Sequence, residues 1–137
     1  MSAEKRTGIL LVTHLDIGAR IIQAAEFIMG PQDGVAAVGV EATTNVDETV
    51  SVIRDAAVKV DSGQGVLVLT DMFGGTPTNL SLSLIGTAAS EVITGVNLPM
   101  VLKAIQGRLL PPAQLALEVK KAGIQGIVVA GEMLKRK

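Results

Sequence analysis

Val66-Leu67-Val68-Leu69-Thr70-Asp71-Met72-Phe73-Gly74-Gly75-Thr76-Pro77 is the stretch from which the architecture of this chain can be read. Its first four residues are apolar without polar alternation, the pattern of a strand covered on both faces. Two glycines then turn the chain. Pro77 suits the first turn of a helix, where its missing amide proton is not needed. A buried strand, a tight turn and a helix start therefore follow one another directly, as in the repeating unit of a parallel sheet.

The same alternation extends outward in both directions. Ile9 to Val12, Val35 to Val40, Val92 to Val96 and Gly126 to Ala130 are further strand candidates. Asp16 is placed to cap a first helix with an apolar face of Ile17, Ile21, Ala24, Ala25 and Ile28, stopped by Gly30-Pro31. Val46, Val50, Ile53, Ala57 and Val60 form one apolar stripe of a second helix, with Asp47, Glu48, Arg54, Asp55 and Lys59 facing mostly to water. Pro99 opens another helix. A last one is expected from Pro112 to Ala122, ending at Gly123 and leaving Gly126 to Leu134 as a terminal strand. No linker or repeat interrupts this order. The expectation is one α/β domain over residues 1–137, an open, mostly parallel, doubly wound sheet of flavodoxin-like strand order.

Composition narrows the function. With 137 residues, 48% of them apolar and 18% charged, the chain has ample material for a core and is not of disordered type. It has no cysteine and a single histidine, His14, which excludes structural zinc, iron–sulfur clusters and cysteine nucleophiles. Twelve basic and thirteen acidic residues leave a net charge of −1, no footprint for a nucleic-acid backbone. Phe27 and Phe73 are its only aromatics, too few for a base-stacking platform. Its apolar runs are far shorter than a membrane span, and Met1 to Thr7 carries no cleavage-type pattern, so a cytoplasmic protein is expected.

Ligands of doubly wound sheets bind beyond the carboxyl ends of the strands. There stand Thr13-His14 after the first strand, Thr70-Asp71 after the third and Gly95-Val96-Asn97 after the fourth. A lone histidine is most often a surface or capping group. At this position, half exposed at the mouth of a crevice, it can instead be a nucleophile or an acid–base group. Asp71 either caps the turn that follows it or, if the first and third strands are neighbours, reaches the imidazole. A carboxylate on one ring nitrogen fixes the tautomer and leaves the other nitrogen bare. The Gly74-Gly75-Thr76-Pro77 turn offers amide protons and a hydroxyl to an anion, a weak signal alone. Neither a G-x-x-x-x-G-K-[ST] nor a G-x-G-x-x-G pattern is present. An imidazole, a carboxylate and an anion cradle suit a histidine that receives a phosphoryl group and passes it on.

Gly8 to His14 (GILLVTH), Gly65 to Asn79 (GVLVLTDMFGGTPTN) and Val92 to Met100 (VITGVNLPM), in this order, resemble the enzyme IIA domain of the mannose family of the bacterial phosphoenolpyruvate-dependent sugar phosphotransferase system. The resemblance covers nearly the whole chain. It implies that His14 carries the phosphoryl group on Nε2, that Asp71 holds the other ring nitrogen, and that Thr76 helps bind the phosphoryl oxygens, with Gly74, Gly75 and Thr13 beside it. It implies a histidine phosphocarrier protein as donor, a IIB protein as acceptor and, behind it, a membrane sugar permease. No metal or cofactor is called for. It further implies a homodimer in which an antiparallel C-terminal strand joins the partner's sheet. As the chain stops at Lys137, the IIB acceptor is expected to be a separate protein. Met72 and Phe73 read either as core packing or, with Leu15, as a docking patch for carrier proteins. Family members commonly have glycine after the histidine; Leu15-Asp16 stands here instead and is expected to narrow the approach to His14 and add a negative charge.

Because the nucleophile is the neutral imidazole, acceptance of the phosphoryl group is expected to fade in acid. Two other roles fit the same residues. One is regulatory, with the phosphorylated and free forms of His14 reporting to another protein. The other is a binding module in which the glycine turn holds a phosphorylated small molecule and His14 only hydrogen-bonds it.

Overall fold

The structure, a computed structural model, describes residues 4–41 and 45–135; the first three residues of the Met1 to Thr7 stretch and the last two of the chain lie outside that description. Elements follow in the order β1 (Gly8–His14), α1 (Ile17–Met29), β2 (Val35–Val40), α2 (Val46–Val60), β3 (Val66–Thr70), α3 (Thr76–Leu82), β4 (Glu91–Ile93), α4 (Leu98–Gln106), α5 (Pro112–Gln125) and α6 (Ala130–Lys135). Among the described residues the sheet has four strands, all parallel, in the order β2-β1-β3-β4. The α/β class and the flavodoxin-like order are those expected from the alternation of strand and helix.

The uninterrupted apolar strands are explained by two cores. Ile9 and Leu11 of β1, with Leu67 and Leu69 of β3, pack under α1, α4 and α5. Leu10 and Val12, with Val66 and Val68, point the other way against α2 and α3. Alternate residues of one strand thus enter different cores, so both faces are apolar until Thr13 and Thr70 at the strand ends.

Helix ends follow local chemistry. The Asn45 side chain accepts from the Glu48 amide at 3.1 Å and opens α2, and Asn97 accepts from the Met100 amide at 3.0 Å and opens α4. Asp16 does not cap α1; its carboxylate lies 3.3 Å from the Arg20 guanidinium, both groups exposed. The buried face of α1 is also not the expected one. Gly18, Ile22 and Ala25 are buried, whereas Ile17, Ala24 and Ile28 are exposed. The helix is turned so that Gly18 can lie on β1, where an added Cβ would come within 3.0 Å of the Leu11 Cβ. In α2, Ile53, Ala57 and Val60 are buried as expected and are joined by Thr49, while Val46 sits exposed in the first turn.

At the amino end of the sheet, the buried Arg108 guanidinium donates to the backbone carbonyls of Thr7, Asp33 and Gly34. Burial, helped by nearby Arg6 and opposed by Asp33, lowers its pKa. It ties the entry to β1, the entry to β2 and the turn after α4 into one junction.

Two expectations at the carboxyl half are corrected. β4 ends at Ile93 rather than Val96, because the chain leaves the sheet to bring the Val96 amide onto the Thr70 carbonyl at 2.9 Å. The terminal strand from Gly126 is not formed. α5 continues through Gly123, which is held against Met100 where a Cβ would lie 2.6 Å from the Met100 Cγ, so this glycine serves close packing rather than a helix stop. Ile127, Val128 and Val129 pair with no strand and are exposed. The Ile127, Glu132 and Met133 amides then bond to carbonyls three or four residues back, and Ala130–Lys135 closes as a helix.

No helix among the described residues is long and apolar enough to cross a membrane.

Candidate functional site

β1 and β3 are neighbours in register, Val12 opposite Thr70. Their continuations, His14 and Asp71, therefore meet at the carboxyl end of the sheet although they are 57 positions apart. One oxygen of Asp71, Oδ2, accepts twice from His14: from its backbone amide at 3.0 Å and from Nδ1 at 2.7 Å. The main-chain bond fixes where the carboxylate sits, and the ring bond fixes how the imidazole is turned. Burial raises the Asp71 pKa, but the hydrogen bonds and the charge of His14 outweigh it and hold the carboxyl below its ordinary value. An ionised carboxylate can only accept, so Nδ1 carries the proton and Nε2 presents a bare lone pair. The His14 side chain keeps 44% of its surface, whereas Asp71 is largely covered. The second oxygen, Oδ1, is buried with no protein partner. The carboxylate charge, shared by both oxygens and lying beside the ring, favours any positive charge the imidazole acquires.

Gly75 underlies the imidazole. An added Cβ there would lie 3.0 Å from His14 Cε1 and 3.5 Å from Nε2, so any other residue would push the reactive edge of the ring. Gly74 before it takes φ +85°, the left-handed region that glycine enters without strain. Thr76, the first residue of α3, lies with His14 in a groove of about 550 Å³ whose walls include Leu15, Val40, Glu41, Val46, Thr49 and Leu80.

The other expected site residues fall as follows. Thr13 is not at the reactive surface: its side chain is wholly buried and its hydroxyl accepts from the Gly18 amide at 2.8 Å. It supplies the cap that Asp16 does not, one of the first α1 amides having no acceptor within the helix. Leu15 is 61% exposed on the groove rim and has φ +49°. That is strained for a branched residue. Asp16 lines a separate groove with Ala19 and Gly39. Met72 and Phe73 are 55% and 77% exposed, so they are not core. Phe73 faces a second, apolar cleft of about 420 Å³ bounded by Leu82, Val92, Ile124 and Ile127. Sequence reasoning missed Glu41 and Thr49 in the wall of the His14 groove, because Glu41 follows β2 and Thr49 lies in α2, elements that carry no motif.

Residues 8–119 match the family described as EIIA-man, PTS system fructose IIA component. The chain belongs to this family. The match takes in every element from β1 into α5 and every residue named around the His14 groove. Among IIA relatives, the sorbose-specific EIIA component of Lacticaseibacillus casei is 31% identical over 121 residues, covering 82% of this chain and 83% of that protein. The mannose-specific EIIAB component of Escherichia coli K12 is 28% identical over 125 residues. That match takes in 87% of this chain and only 39% of the longer protein. In three dimensions the IIA protein associated with the fucose utilization operon of Streptococcus pneumoniae superposes with a TM-score of 0.84 at 25% identity, over 97% of this chain and 99% of that one. This IIA chain therefore spans well under half the length of its EIIAB relatives, and its overall fold is shared by a solved IIA protein.

Proposed function

We propose that this IIA chain is a phosphoryl carrier in sugar uptake, with His14 as the acceptor. The supporting observation is the 2.7 Å contact of His14 Nδ1 with Asp71, which leaves Nε2 as the exposed nucleophile. The Nε2 lone pair attacks the phosphorus of a phosphorylated histidine phosphocarrier protein in line. The new N–P bond forms as the donor's N–P bond breaks, and its electron pair returns to the donor imidazole. Positive charge on the His14 ring is balanced by Asp71, while the Thr76 hydroxyl and the amides of the Gly74-Gly75 turn hold the phosphoryl oxygens. Thr13, buried and committed to the Gly18 amide, is left out of this set. The transfer runs between two imidazoles and is nearly isoenergetic, so positioning and charge balance are the catalytic means. A IIB protein receives the group in turn and serves a membrane sugar permease; this work belongs in the cytoplasm.

Leu15 on the rim of the His14 groove, with exposed Met72 and Phe73 at the turn after Asp71, forms the docking patch for these carriers. Ile127, Val128, Val129, Met133 and Leu134 are exposed as well, which supports association of two copies of the chain.

The test is intact mass after incubation with phosphoenolpyruvate, enzyme I and the histidine phosphocarrier protein, beside a His14→Ala control. Gain of one acid-labile phosphoryl group by the native chain alone is expected. No gain with active upstream proteins from the same organism would refute the carrier role and favour the small-molecule binding module.

A further inference from the structure

We propose that Thr78, acting with Thr70, is a positioning residue that holds the Asp71–Gly75 loop in the shape His14 needs; this rests on the reading of His14 as the phosphoryl acceptor. Thr70 ends β3, Thr78 is the third residue of α3, and both side chains are wholly buried. The Thr78 Oγ1 lies 2.6 Å from the Met72 carbonyl oxygen and 2.6 Å from the Thr70 Oγ1. A carbonyl can only accept, so the single Thr78 proton goes to Met72 and the Thr70 hydroxyl must donate to Thr78. The relay has one direction, and it closes the loop on itself: strand end, helix start and the middle of the turn meet at one oxygen.

Three features make this more than packing. The loop contains Gly74 at φ +85° and Gly75, so little in its own backbone resists distortion. Met72, the residue clamped, stands between the two groups that define the imidazole: it follows Asp71 directly, and its Cγ would be 3.3 Å from a Cβ on Gly75. Shifting the Met72 carbonyl therefore shifts both the acceptor of the Nδ1 proton and the floor beneath the ring. Finally, β3 is otherwise apolar up to Thr70, and a valine there would fill the same space without a polar group to satisfy. Burying two hydroxyls is compensated only because each finds a partner in this relay.

The experiment compares the native chain with Thr78→Val, which keeps the shape and removes the donor, and Thr78→Ser, which keeps the donor. In 15N spectra of the unphosphorylated protein, the native His14 ring is expected to show the Nδ1–H tautomer. Thr78→Val is expected to move the ring nitrogens toward a tautomer average and to lower the saturating rate of phosphoryl acceptance about tenfold. The half-saturating donor concentration should stay within twofold, and Thr78→Ser should restore both readouts. A folded Thr78→Val protein with native ring nitrogens and native rate would overturn the proposal. Thr70→Val breaks the outer half of the relay inside an apolar strand and decides the matter by the same readouts should Thr78→Val not fold. If the native chain accepts no phosphoryl group, the carrier reading fails, while the tautomer comparison still decides the positioning role.

Discussion

Asp71→Asn isolates charge from geometry at this site. An asparagine oxygen can occupy the place of Oδ2 and accept from both the amide and Nδ1 of His14, so the ring stays where it is; only the negative charge is lost. That charge matters little to a neutral imidazole and more to a ring becoming positive as the N–P bond forms. For charges about 4 Å apart, the attraction is about 4 kcal/mol at an effective dielectric constant of about 20 and about 1 kcal/mol in bulk water. The His14 side chain is 44% exposed, so the screened part of that range applies, about 1–3 kcal/mol. At 1.36 kcal/mol per factor of ten, the acceptance rate should fall about 5- to 150-fold. Rapid-quench transfer from the phosphorylated carrier protein, read by mass, measures it. A variant within twofold of the native rate would refute the role given to the carboxylate. The same substitution has a signature in acid. Folding holds the Asp71 pKa below its ordinary value, so its ionisation stabilises the fold above that value, and this is lost as pH falls through the folded one. The native chain should therefore lose stability in that acid window, and Asp71→Asn should show a flatter profile in urea titrations across it.

Two further substitutions test the frame around the site. Leu15→Gly relieves a left-handed backbone at an exposed side chain and should raise stability by about 0.5–1 kcal/mol after the added freedom of the unfolded chain is deducted, seen as a higher thermal midpoint; a lower midpoint would show that the leucine side chain contributes more than its backbone costs. Arg108→Met removes a buried donor from three backbone carbonyls and should lower stability by about 3 kcal/mol in denaturant titration, while the His14 ring, at the opposite end of the sheet, keeps its nitrogen shifts.

Much of this was written locally. An uninterrupted apolar run such as Val66 to Leu69 can be stable only between two cores, so it announces a central parallel strand whatever its neighbours are. Pro77 and Pro99 stand in the first turns of α3 and α4, where no amide proton is needed. His14 and Asp71 stand directly after such strands, and once strand order is inferred their meeting follows from register. These are short-range or periodic relations, which one sequence displays in full.

Tertiary structure decided what depends on a partner distant in sequence. Gly18 reads as a weak helix residue and is the point where α1 touches β1; Gly123 reads as a stop and is the point where α5 touches Met100. Thr13 stands beside His14 in sequence, yet its hydroxyl serves α1, and Thr70 and Thr78, ordinary by type, form the relay that holds the loop. Gly126 to Ala130 has the composition of a strand yet pairs with no strand of this chain; Gly126 ends α5 and Ala130 begins α6. The common reason is that a residue's type limits the bonds and contacts it can make, whereas the choice among them belongs to whichever groups folding brings within reach.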